Sequence, residues 1–330
     1  MKKLENKYNK IGILLVNLGT PNSATVPAVK KYLREFLSDR RVIEANPILW
    51  KIILNCFILP FRSSRTTKLY QSIWRKEDNM SPLLYYTKRQ AELLNEQMPN
   101  NVVVDFAMRY GNPSIDETIK ALPELGATEI RILPLYPQYS ATTTATVYDE
   151  VYCVLKSLRW QPNIIGVKPY YDNKDYIQLL KNQVLMHVQS LSFKPEALVV
   201  SFHGIPAIYF EKGDPYYCHC HKTYRLLKES LEGEFSGEII MSFQSLFGPK
   251  KWLKPYTTDV LAQCGAGKAK KVMVIAPGFP SDCLETLEEL QVTERNAFLE
   301  KGGKEYSVIP CLNDNAEHIK FLKNLVSNGM

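Results

Sequence analysis

The sequence predicts an α/β protein made of two similar doubly wound halves, each with a parallel sheet covered by helices. The first observation is a series of short apolar runs, bounded by turn residues and separated by segments with helical spacing. Apolar strands that alternate with helices are typical of parallel sheets buried on both faces. The predicted strands are Ile11–Leu18, Val102–Met108, Ile130–Leu135, Ala197–Phe202, Glu238–Phe243, Val272–Ala276 and Tyr306–Pro310.

The second observation is an internal repeat at the ends of these strands. Three segments of the first half resemble three segments of the second half in the same order, which indicates two related units. The matched pairs are LLVNLGTP at 14–21 with LVVSFHGIP at 198–206, DFAMRYGNP at 105–113 with MSFQSLFGP at 241–249, and RILPLYPQYS at 131–140 with MVIAPGFPSD at 273–282. We therefore predict halves at 1–160 and 161–330, divided near Trp160–Gly166.

The strand ends also predict where a ligand binds. In parallel sheets ligands lie beyond the carboxyl ends of the strands, so we expect a functional cleft between the halves. Its expected lining is Asn17, Arg109, Tyr110, Tyr136–Ser140, His203, Gln244 and Asp282–Glu285. No glycine pattern of the GxGxxG or Walker type is present, so the sequence does not predict a nucleotide site.

Composition narrows the classes of function. The net charge of +7 is spread along 330 residues rather than concentrated in a stripe, which argues against nucleic acid and suits an anionic small substrate or an acidic membrane surface. Seven cysteines without a CxxC pair indicate a reducing compartment. The polar segment 1–10 and the short apolar run after it do not resemble an export signal, so we expect a cytoplasmic protein.

The most apolar segment is Ile48–Phe61, with the sequence ILWKIILNCFILPF. It is shorter than the roughly 20 residues that a spanning helix needs, and Lys51 and Asn55 interrupt it. One interpretation is a buried amphipathic helix. The other is an exposed apolar lip that touches a membrane or guards an apolar substrate, and the sequence favours neither.

His203 is the first residue that suggests chemistry. It directly follows the predicted strand ALVVSF and precedes Gly204, so its imidazole should emerge at the carboxyl edge of a sheet. An imidazole with a pKa near neutrality can accept a proton or bind a metal. A hydrogen-bonded structural histidine at a strand end is an equally ordinary explanation of its position.

Glu285 follows another strand and the turn PGFP. With Asp282 it fits a capping box, which would be a purely structural use. Glu288 and Glu289 lie three and four residues further on, so carboxylates should line one side of a helix. Such a row is either a solvated acidic face or a ladder that conducts cations or protons.

Six motifs in order carry a family resemblance. They are VNLGTP near the N-terminus, YPQYS at Tyr136–Ser140, SFHGIP at Ser201–Pro206, GDPY at Gly213–Tyr216, FQSLFGPKKWLKPYT at Phe243–Thr257 and PGFPSDCLETLEE at Pro277–Glu289. Together they span nearly the whole chain, and the chain resembles the ferrochelatase family, bacterial type.

The resemblance implies two Rossmann-like halves of the class II chelatase kind and a lyase of haem biosynthesis that inserts Fe2+ into protoporphyrin IX. It implies His203 and Glu285 as catalytic and metal-binding residues, and the acidic row after Glu285 makes Glu289 a candidate relay. The implied substrate-binding residues are Arg65, Trp74, Ser81, Arg109, Tyr110, Tyr139 and Trp252. Fe2+ enters as substrate and no other cofactor is implied, while Ile48–Phe61 is expected to contact the inner face of a membrane peripherally.

Some alternatives stay open at this stage. The run CHCH offers Cys218 and Cys220 as ligands of a [2Fe-2S] cluster or another metal, with Cys153, Cys264, Cys283 or Cys311 completing the set. Cys283 stands where some relatives have a histidine. A chelatase for coproporphyrin, another tetrapyrrole or another metal, and a noncatalytic tetrapyrrole-binding protein, are the rival functions. The sequence makes no prediction of oligomeric state.

Overall fold

A computed structural model describes residues 9–246, 248, 250–267 and 269–327. Phe247 and Pro249, which belong to the predicted strand-end repeat at 241–249, lie outside the described residues, as do 1–8, Lys268 and 328–330. The chain divides into two compact units. Unit 1 comprises the described residues of 9–136, 140–169 and 314–327, and unit 2 those of 137–139 and 170–313.

Unit 1 contains a four-stranded parallel sheet in the order β2-β1-β3-β4. Residues Ile13–Val16 of β1 are fully buried, as expected for a strand covered on both faces. Its strands are β1 (Lys10–Gly19), β2 (Val102–Tyr110), β3 (Ala127–Pro134) and β4 (Asn163–Gly166). Its helices are α1 (Val26–Ser38), α2 (Pro47–Ile53), π1 (Leu54–Ile58), α3 (Leu59–Ile73), α4 (Pro82–Glu96), α5 (Ile115–Glu124), π2 (Ala141–Ala145), α6 (Thr146–Ser157) and the C-terminal α12 (Ala316–Ser327).

Unit 2 has a second four-stranded parallel sheet in the equivalent order, β6-β5-β7-β8. Its central strand β5 is buried from Ala197 to Phe202 and becomes half-buried only at His203. The strands are β5 (Ala197–His203), β6 (Glu238–Gln244), β7 (Lys271–Ile275) and β8 (Glu305–Val308). The helices are α7 (Lys174–Ser190), α8 (Ala207–Glu211), α9 (Tyr216–Ser230), α10 (Thr257–Ala266), π3 (Glu285–Glu294) and α11 (Arg295–Glu300).

All seven predicted strands are present, and the prediction of an α/β fold with parallel sheets is confirmed. The strand that sequence analysis missed is β4, which pairs with β3. It has only four residues, Asn163 and Gly166 are poor strand formers, and most of it is exposed, so no buried apolar run marks it.

The internal repeat is visible in the backbone of both sheets, with one change in alignment. At the end of β2 the Met108 N–H donates to the carbonyl oxygen of Pro113 at 2.7 Å. At the end of β6 the Phe243 N–H donates to the carbonyl oxygen of Pro255 at 2.8 Å. The structural counterpart of Pro113 is therefore Pro255 rather than Pro249, because unit 2 has a longer loop at this strand end.

The last helix belongs to unit 1. Helix α12 packs on α4, and the carbonyl oxygen of Val326 accepts a hydrogen bond at 2.8 Å from the buried side chain of Arg131. The division that the sequence predicts, between residues 160 and 161, places this helix in the second half instead. It also falls just before β4. The repeated segments locate strands, whereas the packing of a terminal helix depends on long-range contacts that leave no local pattern.

The segment Ile48–Phe61 forms α2, π1 and the start of α3, and it exposes much of its apolar surface. Exposed fractions are 76% for Ile48, 61% for Phe57 and 78% for Phe61, and Leu49 and Ile52 are also exposed. Leu54 and Leu59 point into unit 1 and are buried. Of the two interpretations of this segment, a buried amphipathic helix and an exposed apolar lip, its exposure agrees with the second. None of the helices in the described ranges is both long and apolar enough to span a bilayer.

Candidate active site

His203 ends the central strand of the unit 2 sheet. Its Nδ1 lies 2.6 Å from the carbonyl oxygen of Gly204. A carbonyl oxygen can only accept, so Nδ1 carries a proton, and Nε2 is the nitrogen that holds the lone pair whenever the imidazole is neutral. The carbonyl oxygen of His203 in turn accepts a hydrogen bond from the hydroxyl of Tyr216 at 2.9 Å, which fixes the backbone at this position.

Gly204, the residue after His203, packs closely against Trp252. A Cβ on Gly204 would lie 2.8 Å from the carbonyl oxygen of Gln244 and 3.2 Å from the Trp252 ring, so only glycine allows this close approach. Trp252 also pairs with Pro206 in an isolated antiparallel bridge. Its indole Nε1 is buried and has no hydrogen-bond partner among the described residues. The ring of Phe279 lies 6.3 Å from that of His203.

Glu285 begins a π-helix of ten residues, π3, which is the feature that sequence analysis missed. π-helices are rare and occur frequently at functional sites. The spacing of Glu285 and Glu289 is compatible with an α-helix as well, so no sequence signal distinguishes the two. Since π-helical hydrogen bonds join residues five apart, each turn holds more residues than an α-helical turn, and both carboxylates stay on neighbouring positions of one face.

Gln244 connects the strand of His203 with this helix. It is paired in register with His203, and its side chain is almost completely buried. Its amide nitrogen donates to the carbonyl oxygen of Glu285 at 3.0 Å and to the Glu289 carboxylate at 3.3 Å. Its amide oxygen accepts from the Ser201 hydroxyl at 2.7 Å. The buried amide of Gln244 therefore links the ends of β5 and β6 to the start of π3.

Glu289 is held by Ser245, which sequence analysis did not single out. The Ser245 N–H and hydroxyl donate to the two carboxylate oxygens at 2.7 and 2.5 Å, and Ser245 adopts a left-handed conformation with φ of 66° to do so. Burial raises the pKa of Glu289, and the charge of Glu285 adds to the rise. The hydrogen bonds from Ser245 and Gln244 and the charge on His203 oppose it, but the net shift is upward.

Asp282 is used differently from the capping box considered above. Its Oδ1 accepts from the Thr286 hydroxyl at 2.9 Å and its Oδ2 from the Asn313 amide at 2.7 Å. The N-cap residue of π3 is Leu284, which has no side-chain cap. Glu285 is thus free of the capping role, and the buried Asp282 network fixes the segment that precedes it.

Arg109 and Tyr110 lie in unit 1, inside a network of protein contacts. Arg109 donates to the carboxylate of Asp39 at 2.7 Å and to the Thr146 hydroxyl at 2.7 Å. The Tyr110 hydroxyl donates to the same Asp39 carboxylate at 2.9 Å. Burial raises the pKa of Tyr110, with the Asp39 charge acting in the same direction. Asp39 and Thr146 could not be identified from the sequence, because they are far from Arg109 in the chain and no local motif joins them to it.

The remaining predicted substrate contacts of unit 1 are on or next to α3 and α4. Arg65 is exposed on α3, and Trp74 is the C-cap residue of that helix, with its indole N–H donating to the Asn79 side chain at 3.0 Å. Ser81 is buried and caps α4 by accepting from the Leu84 N–H at 3.2 Å. The structure therefore gives Trp74 and Ser81 local hydrogen bonds in addition to any role toward a substrate.

The CHCH run lies in α9, which separates its thiols. Cys218 is exposed and Cys220 is fully buried, because residues two apart on a helix point in nearly opposite directions. Burial raises the pKa of the Cys220 thiol. No group of three or more His, Cys, Asp or Glu side chains in the described part of the chain is placed to hold a metal ion.

Comparison with known proteins identifies the family to which these features belong. The family model for ferrochelatase matches residues 10–330. The ferrochelatase of Francisella tularensis subsp. novicida is 58% identical over 328 residues, which cover 99% of this chain and 98% of that protein. A ferrochelatase of Francisella tularensis subsp. tularensis has the same identity over 327 residues, with the same coverage.

Two solved structures share the fold. SirB from Bacillus subtilis with Fe3+ matches with a TM-score of 0.57 and 14% identity, over 96% of this chain and 94% of that one. CbiX, the terminal enzyme for biosynthesis of siroheme in denitrifying bacteria, matches with a TM-score of 0.52 and 11% identity, over 97% of this chain and 99% of that one. At these identities the likeness concerns the fold alone.

Proposed function

The chain belongs to the ferrochelatase family, and from that premise we propose that it is a lyase that inserts Fe2+ into protoporphyrin IX to form haem. The observation that carries the proposal within this chain is the arrangement at the end of the unit 2 sheet. There β5 ends at His203 beside Gln244 of β6, and the Gln244 side-chain amide donates to the backbone carbonyl oxygen of Glu285 and to the carboxylate of Glu289. Fe2+ is the substrate metal, and the proposal requires no resident cofactor.

The chemistry of metal insertion explains why an imidazole and carboxylates are needed together. A planar porphyrin carries two pyrrole N–H groups, so its ring must buckle and lose two protons before four nitrogens can bind iron. The lone pair on Nε2 of His203 can accept a proton or hold Fe2+ briefly. We assign Glu285 as the second iron ligand or first proton acceptor, since carboxylate and imidazole together suit Fe2+.

Glu289 suits the role of a relay. Its raised pKa brings the carboxylate closer to neutral pH, where a group can both accept and release a proton. The hydrogen bonds from Ser245 hold the carboxylate in one orientation. We propose that protons from the porphyrin pass to Glu289 and leave along the acidic face of π3.

Aromatic walls supply the distortion of the substrate. Trp252 packs against Gly204, the residue after His203, Phe279 lies near the His203 ring, and Tyr139 belongs to the same unit. A wall that fits a bent macrocycle better than a flat one binds the transition state more tightly than the substrate, which accelerates insertion. Trp252, Tyr139, Arg65, Trp74, Ser81, Arg109 and Tyr110 remain the proposed substrate-binding residues.

The test is anaerobic addition of Fe2+ to the purified protein with protoporphyrin IX, followed by absorbance, with coproporphyrin III as competitor. We expect haem formation above the uncatalysed rate and a higher kcat/KM for protoporphyrin IX. Preference for coproporphyrin III would identify the alternative chelatase. Binding of either porphyrin without metal insertion would identify a noncatalytic tetrapyrrole-binding protein.

We further propose that the apolar lip, residues Ile48–Phe61, contacts an anionic membrane peripherally from the cytoplasmic side. Five of its large apolar side chains are exposed. From Ala45 to Lys76 the sequence has six basic residues and no acidic one, which complements a negatively charged lipid surface. An apolar patch bordered by positive charge is typical of interfacial binding, and it would shorten the path of an apolar porphyrin.

Replacing Phe57 and Phe61 by serine should release the protein from vesicles. Burying one such side chain contributes about 1.5–3 kcal/mol, so partial insertion of two should change partitioning by at least about tenfold. Cosedimentation with phosphatidylglycerol-containing vesicles measures the effect, with Met186→Ser as the control because Met186 is 66% exposed and lies on α7 in unit 2. Equal partitioning of the wild type and the double variant would contradict the proposal.

A further inference from the structure

The CHCH run has an unexplained feature at His219. The half-buried imidazole lies parallel to the ring of Tyr171, with 3.6 Å between ring centroids and an interplanar angle of 10°. This stacking fixes the plane of the imidazole and therefore the direction of its nitrogen atoms. Cys218 and Cys220 point elsewhere, so the histidine must be explained without them.

The Nδ1 atom of His219 accepts a hydrogen bond from the backbone N–H of Tyr139 at 3.1 Å. Tyr139 belongs to the segment 137–139, which has two further attachments in unit 2. The amide of Gln138 donates to the hydroxyl of Thr223 at 3.0 Å, one helical turn beyond His219. The Tyr170 N–H donates to the carbonyl oxygen of Pro137 at 3.1 Å. Each residue of the segment thus has its own anchor.

We propose that His219 is a positioning residue for the iron-insertion reaction: its Nδ1 fixes the backbone of Tyr139 and thereby sets how the Tyr139 ring meets the porphyrin. The inference rests on the proposed function, because the role of Tyr139 as a substrate contact comes from the family resemblance. It adds a residue outside the six motifs that carry that resemblance, and it gives the CHCH run a use that requires no bound metal.

The burial of His219 supports this role. Burial lowers the pKa of the imidazole, and although Asp172 and Asp214 act in the opposite direction, the net shift is downward. A neutral ring keeps a lone pair on one nitrogen. Since the Tyr139 N–H is a donor, that lone pair is on Nδ1 and the proton is on Nε2. The anchor is therefore formed in the protonation state that neutral pH favours.

The test compares two substitutions at this position. His219→Asn places an amide oxygen near the position of Nδ1 and keeps an acceptor, whereas His219→Leu fills similar space without one. His221→Leu is the matched control, because His221 is on the same helix and packs edge-on against Tyr217. Four quantities are measured in the full chain: amide hydrogen exchange of Tyr139 by NMR, the Kd of protoporphyrin IX by fluorescence quenching, and KM and kcat for Fe2+ insertion.

For His219→Leu we expect faster exchange at Tyr139 and porphyrin Kd and KM values raised about five- to tenfold, with kcat within about twofold, since one hydrogen bond is lost. His219→Asn and His221→Leu should stay within about twofold of the wild type. Unchanged exchange in His219→Leu would overturn the anchor. Faster exchange with an unchanged Kd would overturn the link to the substrate.

Failure of the proposed function gives a different pattern. If the wild type inserted no iron, the proposed activity would fail, but exchange at Tyr139 and porphyrin Kd would still decide whether His219 positions a porphyrin contact. A parallel fall of kcat and thermal midpoint in both His219 variants, without rescue by asparagine, would show a purely structural role and overturn the proposal.

Discussion

Replacement of His203 by alanine should lower kcat for anaerobic Fe2+ insertion by about 100-fold or more, because loss of a positioned acid–base group typically has an effect of this size. The substitution removes Nε2, the nitrogen whose lone pair can accept a proton or bind iron. The other ring nitrogen, Nδ1, is already hydrogen-bonded to the carbonyl oxygen of Gly204. Binding of protoporphyrin IX should change by less than about threefold, since the imidazole contributes little of the wall area that a macrocycle needs.

The same variant separates the two roles proposed for His203. If the imidazole is mainly a proton acceptor, Fe2+ and Zn2+ insertion should fall by similar factors, because deprotonation precedes binding of either metal. If it is mainly a ligand, the ratio of the two rates should change, since the metals differ in their ligand preferences. Initial rates with each metal, followed by absorbance, distinguish these outcomes.

His187→Ala is the matched control. His187 is also a half-buried histidine of unit 2, and its Nε2 lies 2.8 Å from the Ser307 hydroxyl on β8. It should retain wild-type kcat with a small loss of stability. Wild-type activity in His203→Ala would remove the imidazole from the mechanism and with it the central assignment of the proposed function.

The sequence was informative about the fold because its signals are local. A buried parallel strand such as β5 requires a continuous apolar run, and the turn after it requires residues such as Gly204, so both leave a pattern in the chain. The short exposed strand β4 requires neither, and it was missed. The attachment of α12 to unit 1 was missed for a related reason, since one amphipathic helix fits many apolar surfaces.

The candidate site likewise has some features that the sequence predicts and others that it does not. His203 and Glu285 follow predicted strands, so topology alone brings them to one edge of a sheet. The left-handed conformation of Ser245, the π-helix that begins at Glu285 and the bonds of Gln244 depend on contacts between residues about 40 positions apart. Such contacts leave no periodicity in the sequence, and they orient the carboxylate of Glu289, whose pKa is raised by burial against the opposing effect of these hydrogen bonds.

Arg109→Ala should destabilise the protein by about 3 kcal/mol, because it leaves the buried carboxylate of Asp39 without its cationic partner. The side chains of Arg109 and Asp39 are only 12% and 10% exposed, and 2.7 Å separates the paired atoms. Urea unfolding measures the loss. The control in the same unit is Lys120→Ala, which breaks an exposed pair with Asp116 and should cost no more than about 0.5 kcal/mol.

This prediction also distinguishes two roles of Arg109. The observed contacts with Asp39 and Thr146 predict that the variant loses stability. A direct contact with the porphyrin predicts a raised KM as well. A variant with wild-type stability and a raised KM would show that the network is energetically minor and that substrate binding is the main use of the residue.

The pH dependence of stability gives an independent measure of the same network. Burial alone would raise the pKa of Asp39, but hydrogen bonds from Thr146, the Arg41 backbone and Tyr110, together with the charge of Arg109, lower it below its ordinary value. The stability that this carboxylate contributes is therefore complete above its unfolded pKa of about 3.9 and is lost as the pH falls through the lower folded value.

In Arg109→Ala the burial remains and the positive charge is gone, so the folded pKa of Asp39 should rise. The midpoint of acid unfolding should consequently move to higher pH than in the wild type, while Lys120→Ala leaves it in place. Unfolding followed by circular dichroism between pH 2 and pH 7 measures this midpoint. An unchanged acid midpoint in Arg109→Ala would mean that the hydroxyl donors, rather than the guanidinium, keep the Asp39 carboxylate ionised inside unit 1.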